Sequence, residues 1–266
     1  SPVAAALYGH RSQELQDGTG GLVTPGFAFA NDGLGRALAV GDWNGDGYDD
    51  LAIAEMESLL GQNEGAVHIL YSTSAGLLGP GALPAQLIYD FIPETGALDR
   101  EGFDDFGSAL AAGNFDCDAY DDLVIGIPGE NIGAAGDAGA VLVLQGSPAG
   151  LVTANLVDFA PQRFYQGLAS VGDTAETGDR FGAALAVGNF DDNSGHDLAI
   201  GVPGENATKG AVAVLYSASG CPGLGLMQPL NLDQDSPGML DAGEDGDAFG
   251  FALAAGDFAG DVADDL

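Results

Sequence analysis

Positive charge is scarce: six Lys and Arg stand against 40 Asp and Glu, a formal charge of −34 over 266 residues. With no basic stripe to neutralise phosphates, nucleic-acid binding is excluded. An anionic membrane surface offers no attraction without bridging cations. Apolar runs end well short of the ~18 residues that a membrane-spanning helix needs, so no direct membrane insertion is expected. Cysteine is nearly missing too. Cys117 and Cys221 make no disulfide framework, and they either pair in an oxidising compartment or stand as separate thiols. His10, His68 and His196 occupy unrelated contexts, none with a nucleophile and an acid at recognisable spacing. His68 reads as a strand residue and His196 as a solvent-facing turn residue. Gly146-Ser147-Pro148-Ala149-Gly150 has the wrong spacing for a nucleophile elbow, and no phosphate loop with Gly-Lys-Ser/Thr occurs. No catalytic residue is therefore assigned, and the chain is read as not an enzyme.

Glycine is abundant, at 44 residues, and apolar residues reach 46%, enough for a core. Much of both falls in an internal repeat. Leu34-Gly35-Arg36-Ala37-Leu38-Ala39-Val40-Gly41-Asp42-Trp43 recurs from Phe106 to Phe115, from Phe181 to Phe190 and from Phe249 to Phe258. Gly35, Gly107, Gly182 and Gly250 are spaced by 72, 75 and 68 residues. Repeats of that length signal stacked supersecondary units. Each full copy continues with an Asp/Asn/Gly loop and a short apolar strand: Leu51–Ala54, Leu123–Gly126 and Leu198–Gly201. A variable loop and a third strand follow, at Gly65–Tyr71, Gly139–Leu144 and Gly210–Tyr216. Runs this short, bounded by Gly and Asp, suit buried strands rather than helices. A weaker fourth strand is expected around Gln86–Tyr89 and Arg163–Tyr165. Three or four short strands per unit of about 70 residues describe a blade of an all-β propeller. The small residues of the first strand suit its crowded axis.

The loop between the first two strands carries the chemistry. In Asp42-Trp43-Asn44-Gly45-Asp46-Gly47-Tyr48-Asp49-Asp50, oxygen side chains stand at positions 1, 3, 5 and 9, with the Tyr48 carbonyl at 7. Alternating oxygens in a tight loop can converge on Ca²⁺, which takes six to eight of them. The second copy offers Asn114, Asp116, Asp118, the Tyr120 carbonyl and Asp122. The third offers Asn189, Asp191, Asn193, the Gly195 carbonyl and Asp197, with fewer carboxylates. A fourth, weaker set has Asp257, Asp261 and Asp265, with Ala259 at position 3. Asp-Gly turns of ordinary hairpins are the plain alternative, but three loops with one five-point pattern favour metal. Carboxylates crowded in one loop repel unless a cation joins them. Oxygen donors without His or Cys select Ca²⁺, with Mg²⁺ second. The spacing is similar to the start of an EF-hand loop, but Ile53 stands where the bidentate Glu belongs. A second periodic acid, Asp32, Asp104, Asp179 and Asp247, lies two residues before each Leu/Phe-Gly pair. It is read as bonding backbone amides at the turn, with a cation contact as the alternative.

The Phe-Gly opening, the Asp-rich loop and the Gly-Ile-Pro (126–128) or Gly-Val-Pro (201–203) that follows resemble FG-GAP repeats, the blades of integrin α-subunit head propellers and of bacterial secreted proteins. The resemblance implies a β-propeller, usually seven-bladed, with Ca²⁺ in the hairpins between strands one and two. It also implies an extracellular or periplasmic setting and a role in ligand binding or adhesion. Leu34 and Ala54-Glu55-Met56 depart from the pattern in the first repeat. The expected units are 1–33, the outer strands of a preceding blade; 34–105, 106–180 and 181–248, complete blades; and 249–266, an incomplete fourth. Val3–Gly9 reads as a third strand, and Leu266 falls where a second strand would begin, so further blades or another chain are expected to complete a larger propeller, with a four-bladed ring closed by its own ends as the alternative.

Together these readings give a calcium-stabilised, non-catalytic extracellular propeller with about three Ca²⁺ sites and a protein or glycan ligand. The alternatives are a lectin-type propeller, with Tyr89, Phe159 or Tyr165 stacking on sugars, and an accessory part of a larger secreted enzyme or assembly.

Overall fold

A computed structural model describes residues 33–56, 64–92, 97–98, 102–153, 161–220, 223–225, 227–260 and 263–266. Asp32, Asp261, Cys221, Phe159, His10 and the segment Val3–Gly9 lie outside the described residues. Three four-stranded antiparallel sheets follow one another along the chain. The first contains β1 (Leu38–Gly41), β2 (Asp50–Glu55), β3 (Ala66–Leu70) and β4 (Gln86–Ile88). A two-residue pair, β5 (Phe91–Ile92) and β6 (Ala97–Leu98), precedes the second sheet. That sheet contains β7 (Leu110–Gly113), β8 (Asp122–Ile127), β9 (Ala140–Leu144) and β10 (Gln162–Phe164). The third contains β11 (Ala184–Gly188), β12 (Asp197–Val202), β13 (Ala211–Leu215) and β14 (Leu230–Leu232). Within each sheet the strands pair in chain order, as a meander. The weak fourth strand is present in all three.

The register repeats as closely as the sequence does. Gly41 faces Asp50, Gly113 faces Asp122 and Gly188 faces Asp197, so each Asp-rich loop closes on the same pair. Of a fourth unit the described residues hold an isolated bridge between Gly256 and Asp265, at the matching place.

Every residue of β3, β9 and β13 is buried, as is every residue of β8 and β12. A strand alternates between two faces, so burial of both faces requires another layer on each side. The apolar clusters show where those layers are. One joins Trp43, Val67, Ile69 and Tyr71 to Phe106, Ile125, Ile127 and Leu142, and so lies between the first two sheets. The other joins Phe115, Val124, Val141 and Val143 to Phe181, Leu198 and Ile200, between the second and third. Each large buried side chain contributes about 1.5–3 kcal/mol relative to exposure. The core is therefore built between blades rather than within them, in a face-to-face stack of propeller type.

Close approach explains the Gly-x-Pro glycines. A Cβ on Gly126 would lie 2.2 Å from the Gly182 carbonyl oxygen, and one on Gly201 would lie 2.0 Å from that of Gly250. Backbone of the next blade occupies the space a side chain would need. Among the described residues no helix is long and apolar enough to cross a membrane. Asn206, Ala207 and Thr208, at the short turn Glu205–Thr208, have positive φ.

Candidate metal loops and the blade junctions

The Asp-rich loops are the same object three times. In each, the position 3 side chain accepts the backbone N–H of position 5: Asn44 Oδ1 from Asp46 (3.0 Å), Asp116 Oδ1 from Asp118 (3.1 Å) and Asp191 Oδ1 from Asn193 (3.2 Å). Position 5 then accepts from position 7: Asp46 Oδ1 from Tyr48 (3.0 Å), Asp118 Oδ1 from Tyr120 (2.7 Å) and Asn193 Oδ1 from Gly195 (2.7 Å). These bonds curl the loop and hold the side-chain oxygens of positions 3 and 5 to one winding of backbone. In the first loop Asp42 closes the curl, accepting from Asp46 (3.1 Å) and Gly47 (2.8 Å).

Position 9 does something different. Asp50, Asp122 and Asp197 are at most 1% exposed. One oxygen of each accepts the N–H of position 2: Trp43 (3.2 Å), Phe115 (3.0 Å) and Phe190 (2.7 Å). The other accepts an N–H just beyond the third strand: Ser72 (2.7 Å), Gly146 (3.1 Å) and Ser217 (2.8 Å). The last acid of the loop thus ties the first hairpin to the third strand. Asp265 repeats half of this, accepting from Phe258 and Ala259 at 2.9 Å each.

Burial, with the neighbouring loop acids, pushes the Asp50 carboxyl up to about 7 and the Asp122 carboxyl up to about 8; the donated N–H groups oppose this. Asp118 and Asp197 are raised for the same leading reason. Carboxylates that resist ionising beside one another are what a cation would relieve. The donor set fits one. Asn114 Oδ1, at position 1 of the second loop, is buried without a hydrogen-bond partner while its Nδ2 donates to the Asp118 carbonyl at 2.9 Å. Asn114, Asp116, Asp118 and the Tyr120 carbonyl would hold Ca²⁺ there, and the ion would supply a fixed positive centre. The sequence-derived residues Asp42, Asn44, Asp46, Tyr48 and Asp50, and Asn189, Asp191, Asn193, Gly195 and Asp197, occupy the corresponding loops. Asp257 and Asp265 stand at the two ends of the fourth loop, which the Gly256–Asp265 bridge closes.

The sequence reading missed position 8. Asp121 Oδ2 accepts the Asp42 N–H (2.9 Å) while its own N–H donates to the Asp42 carbonyl (3.1 Å). His196 does the same with Asn114, and Asp264 the same with Asn189. The second, third and fourth loops are thus each clasped to position 1 of the preceding loop. His196 is exposed as expected, but it is a junction residue rather than a free turn residue. The signal was an acceptor side chain at position 8 in every copy. His68 is a blade residue, 1% exposed, with Nε2 3.1 Å from Glu55 Oε1. The second periodic acid does bond turn amides: Asp179 Oδ2 accepts from Glu176 (2.5 Å) and Asp247 Oδ2 from Glu244 (2.8 Å).

At the opposite ends of the inner strands, a cavity of about 500 Å³ is lined by Arg36, Ser108, Pro128, Arg180, Pro203 and Phe251, among others. Arg36 Nη1 is 2.9 Å from Asp105 Oδ1, and Arg180 Nη2 is 3.6 Å from Asp105 Oδ2. Tyr165 is half-buried and packs against the core between the first two blades, and Tyr89 is half-buried.

Stacked four-stranded blades, each with an Asp-rich loop in its first hairpin, define an architecture of the β-propeller type. Residues 34–70 and 106–144 match the FG-GAP repeat, and the chain carries FG-GAP repeats. It is 31% identical over 229 residues to the phosphatidylinositol-glycan-specific phospholipase D of Rattus norvegicus, covering 83% of this chain and 24% of that protein. The Bos taurus protein of the same name is 31% identical over 195 residues, covering 70% of this chain and 21% of its own length. Integrin alpha-5 of Xenopus laevis is 28% identical over 180 residues, which are 66% of this chain and 15% of the integrin. The matched region spans about a quarter or less of these relatives.

Proposed function

We propose that the chain is a calcium-stabilised, non-catalytic extracellular propeller segment that binds a protein or glycan ligand. The single observation behind this reading is the loop geometry, whose bonds at positions 3, 5 and 9 recur in three blades, with a buried and unpartnered Asn114 oxygen at position 1 of the second. Calcium is the staple of each inner hairpin, and binding falls to the opposite ends of the strands, where the cavity lined by Arg36 and Arg180 opens. The integrin match supports an adhesion-type role at a cell surface or in secretion. A second reading has its own support: four of the matches are to phospholipase D proteins over 20–24% of their length. On that reading the segment is an accessory part of a larger secreted enzyme.

Calcium titration with differential scanning calorimetry tests the first part. Extracellular Ca²⁺ modules bind at about 10⁻⁴–10⁻³ M, so roughly millimolar Ca²⁺ contributes about 0.4–1.4 kcal/mol per filled site. A melting curve unmoved by excess EGTA would overturn the calcium reading.

A further inference from the structure

Two junctions between neighbouring blades are built from matching residues. At the first, Asp90 follows β4, Asp104 precedes Phe106-Gly107 and Glu130 follows Pro128-Gly129; all three are buried, with carboxylate oxygens within 4.8 Å of one another. A guanidinium sits among them. Arg163 Nη2 is 2.9 Å from Asp90 Oδ2 and 2.8 Å from Glu130 Oε2.

At the second junction the matching positions are Gln166 after β10, Asp179 before Phe181-Gly182 and Glu205 after Pro203-Gly204, with Glu176 added from the turn. The carboxylate oxygens of Glu176, Asp179 and Glu205 again lie within 4.8 Å of one another. Asp179 and Glu205 are only 2% and 3% exposed. Here the cation is missing. Arg163 faces Leu142, the third residue of β9, and the register puts Asn231 opposite Ala213, the third residue of β13. A neutral residue, the exposed Asn231, therefore holds the strand position that carries Arg163 at the first junction. Among the described residues no Lys, Arg or His lies within 4.0 Å of the three acids, and Arg180 pairs with Asp105 instead.

A second observation points to a ligand. Gln166, 2% exposed, reaches into the cluster, its Nε2 donating to Glu205 Oε2 at 2.6 Å, while its Oε1 is buried with no hydrogen-bond partner. A buried amide oxygen left unpaired costs about 1–3 kcal/mol, and beside three carboxylates only a donor or a cation satisfies it. The two buried carboxylates, Asp179 and Glu205, with the exposed Glu176 beside them and no counter-charge, repel in the same way.

We propose that Glu176, Asp179, Glu205 and the Gln166 side-chain oxygen form a second kind of cation site, between blades and away from the hairpin loops, that takes a hard divalent ion, Ca²⁺ by its all-oxygen donors. The ion does at this junction what Arg163 does at the previous one. The site does not depend on the loops holding calcium, since its residues lie at the opposite ends of the inner strands.

Bound calcium per chain, counted by equilibrium dialysis at millimolar free Ca²⁺, tests it in the wild type, Glu205→Gln and Asn231→Arg. Each variant is expected to bind about one ion fewer than the wild type. Asn231→Arg brings its own cation, so it should also melt higher than the wild type in EGTA. That variant decides the matter even where Glu205→Gln folds poorly. Equal ion counts in the wild type and Asn231→Arg would overturn the proposal. An Asp118→Asn variant, counted in parallel, reports on the loop sites alone and so separates failure of the loop reading from failure of this one.

Discussion

The Asn114 backbone N–H donates to His196 Nδ1 at 3.0 Å, and the His196 N–H donates back to the Asn114 carbonyl at 3.1 Å. This two-bond clasp links the Asp-rich loops of the second and third blades. It also fixes position 1 of the second loop, the residue whose side-chain oxygen is buried and unpaired. The candidate ion loop and the blade stacking thus share a residue.

His196→Ala removes the acceptor and should cost about 0.5–1.5 kcal/mol, the net worth of one hydrogen bond. His196→Asp copies Asp121 and Asp264, which make the same bond, and should restore most of the loss. Urea denaturation of the two variants checks this. Equal destabilisation by both would show that the acceptor is not what matters.

Positions 5 and 9 of the loop should separate in their behaviour. Asp46→Asn weakens the ion site but keeps an oxygen for the Tyr48 N–H, so it should reduce stabilisation by calcium while leaving the melting temperature in EGTA nearly unchanged. Asp50→Ala strips the acceptor from the buried Trp43 and Ser72 amides, and should cost about 2–4 kcal/mol with or without calcium. Thermal melts of both variants, with calcium and with EGTA, are the measurement.

The pH dependence of the metal-free protein follows from the raised carboxyls. Burial lifts Asp50 to about 7 and Asp122 to about 8 in the folded chain, against about 3.9 unfolded. Between those limits the folded state holds more protons than the unfolded, so stability falls as pH rises from about 4 to about 8. In EGTA the protein should melt at a higher temperature at pH 5 than at pH 8. Calcium competes with those protons, so its added stability should be larger at pH 8. A metal-free melting temperature that climbs over this range would contradict the burial argument.

Gly126→Ala places a Cβ 2.2 Å from the Gly182 carbonyl oxygen, backbone of the next blade that cannot swing aside. Overpacking of this kind costs about 1–3 kcal/mol. The first blade carries Ala54 at the matching position, so Ala54→Gly should be far milder. Chemical denaturation of the two variants gives the comparison.

Much of the architecture was legible in the chain because repetition multiplies a weak local signal. A single Leu-Val-Ile run is ambiguous, but Leu51–Ala54, Leu123–Gly126 and Leu198–Gly201 at one place in three copies are not. The loop oxygens were legible for the same reason: carboxylate and amide oxygens at alternate positions of a Gly-rich turn carry their chemistry locally. The position 8 clasp and the Arg163 cluster were not, since their meaning depends on the neighbouring blade. Asp121 looks like one more acid in an acidic loop until Asp42 of the previous blade is brought 79 residues along the chain to meet it.

By itself, then, the amino-acid order settled the repeat, the strands and the oxygen-bearing loops, all of which rest on contacts a few residues apart. Only the closure of each sheet decided that the last loop acid is a buried tie to the third strand. Blade stacking alone set His196 on Asn114, and supplied a guanidinium at one acidic junction and none at the next. Those outcomes depend on distances between residues some 20 to 80 apart in the chain, which closure of a sheet and apposition of two sheets set and no local pattern encodes.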